Sequence, residues 1–310
     1  MSRFILKRLW QAFIAALGAL TILFFVQRLT GDPTLLLVPE GATAEDIATL
    51  RTSLGFDQPL YVQYLQYLKG LACFDLGMSY VQGVPVWDIM LSRLPYTLWL
   101  TAGAMLLSIG AGLPIGVLMA LKRGTFLERI LQGVVFTGQS MPTFFSGILM
   151  ILLFAVHLQW LPSSGSDSLL ALLMPSVALG LLTLATFARV ARTAVLDELG
   201  KDYVRTARAK GVPLRRIIWR HLARNSAIPV ITVAALEISH LLAGAVIVET
   251  LFAWPGLGQV AVQAIEARDF PIVQAVVLFG AAASVLCNLI ADLLYGLVDP
   301  RIRHSGGAQS

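Results

Sequence analysis

The chain has 310 residues, of which 57% are hydrophobic and only 13% are charged, and its formal net charge is +5. A soluble domain of this size could not solvate so much apolar surface. The composition therefore excludes a soluble globular protein and indicates an integral membrane protein with several spans.

Six segments of about 20 or more mainly apolar residues are long enough to cross ~30 Å of hydrocarbon as helices. They predict an all-α membrane protein with six transmembrane helices, at approximately residues 9–28, 97–121, 130–158, 169–190, 227–251 and 272–298. The first segment is too long for a signal peptide and lacks a small-x-small cleavage site, so we expect it to stay as a helix. Met141-Pro142 interrupts the third and predicts a kink near the solute pathway.

The Lys and Arg residues are distributed unequally between the two sides that alternate loops define. Of the 23 such residues, 18 fall on the side of the two termini and of residues 191–226, and five fall on the other side. By the positive-inside rule, the first side is cytoplasmic. Both termini are therefore expected inside, and the segment 31–95 is expected outside.

The outer segment, residues 31–95, is predicted to contain helices. Thr43 and Asp46 have the spacing of a capping box, and Gly55 marks the end of that helix. A second amphipathic stretch at 60–71 is expected to place four apolar side chains on one face: Tyr61, Tyr64, Leu65 and Leu68. The segment is either a small cap packed on the membrane domain or a surface that receives an external binding protein.

Eight Lys and Arg residues lie between Asp197 and Arg224, in the loop between the fourth and fifth spans. Helical patterning ends at Gly211 and resumes after Pro213, which predicts two short helices with a glycine C-cap between them. The charges alone could serve as a topogenic signal. A turn with a helix on each side favours a docking surface for a soluble partner.

The loop contains Asp202-Tyr203-Val204-Arg205-Thr206-Ala207-Arg208-Ala209-Lys210-Gly211, then His221-Leu222-Ala223-Arg224-Asn225 and Pro229. It resembles the EAA loop of ATP-binding-cassette (ABC) importer permeases, specifically of the dipeptide, oligopeptide and nickel branch. The general signature begins with Glu and ends in Ile-x-Leu-Pro, and this chain has neither element. Stretches along nearly the whole chain resemble the same branch in the same order: Gly31-Asp32-Pro33, Leu54-Gly55-Phe56-Asp57-Gln58-Pro59, Asp75-Leu76-Gly77-Met78-Ser79, Phe252-Ala253-Trp254-Pro255-Gly256-Leu257-Gly258, Arg268-Asp269-Phe270-Pro271, Asn288, Asp292 and Asp299-Pro300-Arg301-Ile302-Arg303.

The resemblance implies a type I importer permease, with residues 1–310 as one transmembrane permease domain in a bacterial inner membrane. It implies a second homologous permease, two cytoplasmic ATPases that bind the loops at 191–226, and an extracytoplasmic binding protein that delivers solute. Lipid surrounds such a chain, and no nucleic acid is involved. The solute would be a peptide-like molecule or a chelated nickel ion. We assign ATPase coupling to seven loop residues: Tyr203, Arg205, Thr206, Ala207, Ala209, Lys210 and Gly211.

The sequence contains no ATP-binding P-loop. Its single Gly-Lys pair, Gly200-Lys201, is followed by Asp202, and Val195 stands where the first glycine of the motif would be. ATP and Mg²⁺ would therefore be bound by partner ATPases. The chain also lacks a nucleophile elbow, a zinc His-Glu-x-x-His motif and a Cys/His cluster, so we predict no catalytic residue, cofactor or metal site.

Polar side chains within the spans are the candidates for a solute path or gate, because a charge at the bilayer centre costs ~2.5 to 3.5 kcal/mol even on the mildest scale. Glu237 and His240 are three residues apart and are expected to share a face and to hydrogen-bond. Asn288 and Asp292 are four apart on the last helix. Each pair is either a structural polar contact or, together with Met141-Pro142, part of the path.

An alternative function is an ion-driven secondary transporter in which Glu237, His240 and Asp292 form a proton relay. Such a carrier would need neither an ATPase nor a docking loop. A structural membrane scaffold is a third hypothesis, but a scaffold has little reason to keep costly ionisable groups in its spans.

Two further features of the spans give structural predictions. Gly112 and Gly116 form a Gly-x-x-x-Gly face, which permits close approach of a neighbouring helix. Glu249 lies near the outer membrane edge, where its carboxylate is expected to reach water.

Overall fold

A computed structural model describes residues 2–29, 34, 38, 43–217 and 223–298. Side chains within some helical stretches, including that of Asp292, lie outside this description, as do the predicted landmarks at 31–33, 221–222 and 299–303. The described residues are helical and contain no strand, which confirms the all-α class. The chain divides into two compact units, Met1–Thr97 with Pro255–Val285 and Leu98–Trp254 with Leu286–Ser310.

The helices cover the predicted spans and the predicted short helices, but the helix of the second span begins at Val86 rather than at residue 97, and the helix Leu257–Glu266 was not predicted. In chain order the α-helices are α1 (Ser2–Leu29), α2 (Ala44–Ser53), α3 (Leu60–Ala72), α4 (Val86–Leu121), α5 (Phe126–Ser140), α6 (Thr143–Met150), α7 (Leu173–Leu199), α8 (Asp202–Ala209), α9 (Leu214–Ile217), α10 (Ala223–Leu251), α11 (Leu257–Glu266) and α12 (Phe270–Val298). A π-helical stretch, Ile151–His157, continues α6, and a 3₁₀ turn, Leu169–Leu172, precedes α7.

Among the described residues, three helices are long and apolar enough to cross a membrane: Val86–Leu121, Leu169–Leu199 and Phe270–Ile290. Two bent helix pairs raise that number to five if each pair forms one span. The first of these pairs bends by 105° between Ser140 and Thr143, and the second bends by 49° within α10. The remaining predicted span coincides with α1, whose described apolar stretch, Phe13–Leu29, is shorter.

The break at Met141-Pro142 is larger than the predicted kink. Helix α5 ends at Ser140 with Met141 extended, and Pro142 precedes the first turn of α6. The backbone N–H groups of Phe145 and Ser146 donate to the Pro142 carbonyl oxygen, at 3.0 and 3.1 Å. Pro142 therefore ends one helix, because it cannot donate a backbone hydrogen bond, and begins the next.

The cap segment begins with the predicted capping box. The Asp46 N–H donates to Thr43 Oγ1 at 3.2 Å, and the Thr43 N–H donates to Asp46 Oδ2 at 2.9 Å. The hydrogen bond from the Thr43 hydroxyl holds the pKa of Asp46 below its ordinary value. Gly55, at φ +71°, follows the end of α2, as the sequence predicts.

Helix α3 buries only part of the predicted face, since Tyr64 and Leu68 are half-buried and the other two members are exposed. Tyr64 and Tyr67 pack against the Phe24 ring, at centroid distances of 5.3 and 5.6 Å, and burial raises the pKa of Tyr67 to about 12. Gln63 is buried because its amide accepts from Arg28 Nε at 2.8 Å and donates to a backbone oxygen. The predicted members Tyr61 and Leu65 are instead 68% and 61% exposed.

Asp269, at the start of α12, fixes a turn of the cap within the first unit. Its carboxylate is buried and accepts hydrogen bonds from Ser79 Oγ at 2.5 Å, the Tyr80 N–H at 3.1 Å and the Val81 N–H at 3.3 Å. The Gln82 N–H in turn donates to Ser79 Oγ at 2.9 Å. The sequence had indicated Asp269 and Ser79 only as family landmarks.

In the second unit, the Gly-x-x-x-Gly face of α4 packs directly on α7. A Cβ atom at Gly112 would lie 2.7 Å from the Leu184 carbonyl oxygen, and one at Gly116 would collide with the carbonyl oxygen of Ala188. The weak sequence signal therefore marks a real close approach of two helices.

We expect Gly116→Leu to lower the thermal stability and the yield of folded protein in detergent, because the added side chain overpacks a contact made by backbone atoms. Overpacking of this kind costs about 1–3 kcal/mol or more. Gly110→Leu on the same helix is the control, because a Cβ there meets no atom within 4 Å. Equal melting temperatures for the two variants would contradict the assigned contact.

Candidate functional site

The loop at 191–226 contains the predicted helix, glycine cap and second helix. Helix α8 ends before Gly211, which has φ +75°, and the Val212 N–H donates back to the Ala207 carbonyl oxygen at 3.1 Å. This is the long bond of a Schellman motif, and it suits glycine because a Cβ strains the left-handed conformation. Pro213 then accepts from the Arg216 and Ile217 N–H groups at 2.9 and 3.2 Å, which begins α9.

One side of this loop is packed into the second unit. Val204 and Ile217 are fully buried and form an apolar cluster with Ala120 of α4 and Val195 of α7. Among the predicted coupling residues, two pack against this cluster: Tyr203 and Ala207. Those two side chains hold the loop in place, and Val204 is an anchor that the sequence analysis did not identify.

The other side of the loop faces outward. The remaining predicted coupling residues are all exposed: Arg205, Thr206, Ala209, Lys210 and Gly211. The Arg205 side chain is 76% exposed and lies 3.8 Å from the Asp202 carboxylate, whose side chain is 97% exposed. A surface pair of this kind contributes little stability. The exposed side is therefore basic, ends at a rigid glycine turn and leaves its guanidinium and ammonium groups accessible to a partner.

Glu198, at the end of α7, joins that helix to α8. Its buried carboxylate accepts from the Lys201 ammonium group and, at 2.5 Å, from the Tyr203 hydroxyl. The hydrogen bond to Glu198 is also the main reason that the pKa of Lys201 lies above its ordinary value. Sequence reasoning missed Glu198, although a Glu three residues before a Lys at a helix end was an available signal.

A second acid that the sequence analysis missed links α5 to α7. Arg192 donates from Nε and Nη2 to Glu128 Oε1, at 2.9 and 2.6 Å, and the Gly124 N–H donates to Glu128 Oε2 at 2.6 Å. The N-cap residue Thr125 accepts from the Glu128 N–H at 3.4 Å. This network fixes the entry to α5 against α7.

Within the spans, the predicted pair Glu237 and His240 lie close together but differ in exposure. Glu237 is buried and accepts from Thr183 Oγ1 at 3.2 Å. His240 Nδ1 lies 3.8 Å from Glu237 Oε2, which is too long for a hydrogen bond, and its side chain is 76% exposed. The expected Glu237–His240 hydrogen bond is therefore absent, and Thr183 is the partner that the sequence did not indicate.

Of the other candidates for the solute path, the structure describes Met141, Pro142 and Asn288, and the side chain of Asp292 lies outside the described residues. Met141 and Pro142 lie at the break between α5 and α6, and Asn288 is exposed on α12. Among the described side chains, Asn288 makes no hydrogen bond to Glu237. No group of three or more His, Cys, Asp and Glu residues in the described part of the chain could hold a metal ion.

The environment of Glu249 differs from the expected one. This residue was expected to reach water near the membrane edge, but its side chain is fully buried. The backbone of Glu249 accepts from the Trp254 N–H at 2.8 Å, and Trp254 and Phe252 belong to the core of the second unit. Packing around this turn therefore encloses the carboxylate.

The helical spans and the loop that is packed on one side and basic on the other define a membrane protein with a candidate docking surface. The family model for the inner membrane component of binding-protein-dependent transport systems matches residues 112–304, and the model for its N-terminal part matches residues 1–101. The chain belongs to this family.

Two curated relatives match the chain from end to end. The dipeptide transport system permease protein DppB of Escherichia coli K12 is 39% identical over 337 residues, covering 98% of this chain and 99% of the relative. The glutathione transport system permease protein GsiC of the same strain is 39% identical over 306 residues, covering 98% and 100%. These relatives place the chain among the ABC importer permeases of the dipeptide and oligopeptide branch.

Solved structures show the same fold at lower identity. The MetNI methionine ABC transporter in an inward-facing conformation matches with a TM-score of 0.59 and 20% identity, over 69% of this chain and 97% of that chain. An amino acid ABC transporter solved with histidines matches with a TM-score of 0.50 and 17% identity, over 67% and 93%. The predicted type I permease architecture is thereby confirmed.

Proposed function

We propose that this chain forms half of the translocation pathway of an ABC importer for a peptide-like solute. The observation that carries the proposal is the two-sided loop, which is packed on α4 and α7 on one side and presents exposed basic residues on the other. A loop that served only as a topogenic signal would need neither the buried anchor Val204 nor the glycine turn at Gly211. The curated relatives carry dipeptides and glutathione, so peptide-like solutes are favoured over chelated nickel.

The proposed assembly contains a second homologous permease, two cytoplasmic ATPases and an extracytoplasmic binding protein. The ATPases bind Mg²⁺ and ATP, since this chain has no P-loop of its own. The unequal distribution of Lys and Arg residues supports an orientation with both termini and the loop at 191–226 in the cytoplasm of a bacterial inner membrane. The segment 31–95 then faces the binding protein.

The proposed mechanism is alternating access driven by the loop. Closure of the ATPases on ATP moves the exposed side of α8, and the apolar cluster around Val204 prevents the loop from moving independently of α4 and α7. The Glu198 carboxylate, at the end of α7, also accepts hydrogen bonds from Lys201 in the turn and from Tyr203 in α8. The loop can therefore act as a rigid lever that transmits the motion to the spans.

Six residues are proposed for the solute path or gate: Met141, Pro142, Glu237, His240, Asn288 and Asp292. The break at Met141-Pro142 frees backbone groups, which within a membrane must be buried in protein or line a cavity. The hydrogen bond between Thr183 and Glu237 supports a structural role for Glu237. The exposed His240 is the member of that pair best placed to meet solute.

An ion-driven carrier is not favoured. The curated relatives are permeases of dipeptide and glutathione transport systems. The family of the chain also consists of components of binding-protein-dependent systems.

The test is to purify the tagged chain in mild detergent, identify the proteins that copurify, and reconstitute the assembly in liposomes with its binding protein. We expect two ATPase copies, a second permease, and ATP hydrolysis that dipeptide-loaded binding protein stimulates. Recovery of a stable homo-oligomer that accumulates dipeptide under a proton gradient, with no ATPase present, would contradict the proposal.

A further inference from the structure

A groove of about 610 Å³ lies between α5 and α7 in the second unit. Its volume falls within the range of about 300–1,000 Å³ that is typical of small-molecule sites. The walls combine guanidinium groups with amide and aromatic side chains: Arg129, Arg189, Arg192, Gln132, Gln139 and Phe136. Of these residues only Arg192 falls within 191–226, and none is among the seven assigned coupling residues or in the proposed solute path.

The groove carries uncompensated positive charge. Arg192 is paired with Glu128, whose carboxylate is fixed by further hydrogen bonds. Arg129 and Arg189 are exposed, and in the part of the chain that the structure describes neither forms an ion pair. The groove therefore presents two unpaired guanidinium groups beside a third that is held in a fixed orientation, an arrangement that suits a phosphate or carboxylate.

The surface around the groove is apolar. On α5, Phe126, Ile130, Val134 and Phe136 are between 46% and 74% exposed, and this helix forms the first half of a bent candidate span. Arg129 lies in the first turn of that span, and Arg192 lies near the end of α7 that leads into the coupling loop. The arginines are therefore at the depth of lipid headgroups, and lipid tails are the natural neighbours of the apolar side chains.

We propose that this groove binds the phosphate of an anionic phospholipid, with phosphatidylglycerol as the test ligand, in the leaflet next to the coupling loop. Basic pockets between membrane helices are known to take anionic lipid headgroups. Charge complementarity and the continuous apolar surface favour a lipid, because a soluble phosphate compound would gain nothing from Phe136 and its exposed neighbours. The proposal does not depend on the identity of the solute.

The test is a titration of the purified permease assembly, delipidated in detergent, with dioleoylphosphatidylglycerol or dioleoylphosphatidylcholine, in which native mass spectrometry counts bound lipid. We expect the wild type to retain phosphatidylglycerol more tightly than phosphatidylcholine. Arg129→Gln with Arg189→Gln is expected to weaken phosphatidylglycerol binding about 25-fold, since each basic group near a membrane surface contributes roughly fivefold. Binding of phosphatidylcholine is expected to stay unchanged.

Two further variants separate a specific site from general charge. Lys122→Gln with Arg123→Gln removes the same charge from exposed positions just before α5 that do not line the groove, and it is expected to keep phosphatidylglycerol binding. Gly133→Trp fills the groove without changing charge, and it is expected to weaken binding. A Cβ at Gly133 meets no atom within 4 Å, so this variant is expected to fold.

Three results would overturn the proposal. One is an equal loss of lipid in the two double variants, which would indicate non-specific charge. Another is unchanged phosphatidylglycerol binding in Gly133→Trp. The third is displacement of the lipid by another anion. That anion would be millimolar inorganic phosphate, or a carboxylate of the second permease that binds Arg129 and Arg189 in the assembled complex.

Discussion

Ala209→Asp is expected to leave the chain in the membrane at a normal level but to reduce solute-stimulated ATPase activity of the assembled importer at least about tenfold. Ala209 is exposed on the outward side of α8, next to Lys210 and close to Arg205. An aspartate there would place a negative charge where the partner is expected to meet basic groups. Juxtaposed like charges and unpaired buried carboxylates cost several kcal/mol in protein interfaces, and 1.4 kcal/mol already corresponds to tenfold.

The control for Ala209→Asp is Ala48→Asp. Ala48 is likewise exposed on a short helix, but it lies in the cap segment and on the opposite predicted side of the membrane. We expect this variant to keep normal ATPase stimulation at saturating concentrations of the binding protein, which compensate for a weaker contact with the cap. Normal stimulation in Ala209→Asp and in Lys210→Glu, with the ATPases still copurifying, would show that the exposed side of α8 is not the contact.

The structure also changes which coupling variant is informative. Ala207 was predicted from the sequence to seat against the ATPase, but it packs against the cluster of Val204 and Ile217. A charge at Ala207 would disturb the loop itself, since burying an uncompensated carboxylate is costly. Loss of coupling in Ala207→Asp therefore reports on the anchoring of the loop, and loss in Ala209→Asp reports on docking.

Asp269→Ala is expected to be the most destabilising single change in the first unit. Its buried carboxylate accepts three hydrogen bonds, and each bond to a charged group contributes about 1.5–3 kcal/mol. The variant leaves the N–H groups of Tyr80 and Val81 without that acceptor. We expect a clear fall in melting temperature and faster proteolysis between residues 78 and 85 in purified protein, with a smaller fall for Asp269→Asn.

The matched control for Asp269→Ala is Asp57→Ala, in the same unit. Asp57 is exposed in the turn before α3, and surface substitutions of this kind change stability by no more than about 0.5 kcal/mol. If Asp269→Ala and Asp57→Ala melt at the same temperature, Asp269 does not fix the turn at residues 79–81.

Several structural features could be predicted from the sequence because each depends on a local rule. An apolar run of a given length predicts a span, since the bilayer has a fixed thickness. The cap at Gly211 and the capping box at Thr43 and Asp46 follow from backbone conformations and short spacings. Met141-Pro142 marked a helix break for the same reason, although the angle of 105° was not predictable.

Contacts between distant residues could not be predicted in this way. Ser79 and Asp269 are 190 residues apart, Glu128 and Arg192 are 64 apart, and Thr183 and Glu237 are 54 apart. Helical spacing alone placed Tyr61 and Leu65 on a buried face, but Gln63 is buried instead because its amide has polar partners. The spacing of apolar residues along a helix carries no information about a hydrogen-bond partner from a distant part of the chain.

By itself the sequence determined the membrane class, the positions of the spans, the basic loop with its glycine turn and the resemblance to ABC importer permeases. These features follow from composition, from bilayer thickness and from backbone preferences, all of which act along the chain. Only the tertiary structure decided which side of the loop is packed and that three arginines line one groove. It also decided that Glu198 fixes the turn between α7 and α8 and that Asp269 fixes the turn at residues 79–81. Burial and pairing depend on neighbours supplied by distant parts of the chain, and folding alone brings those neighbours together.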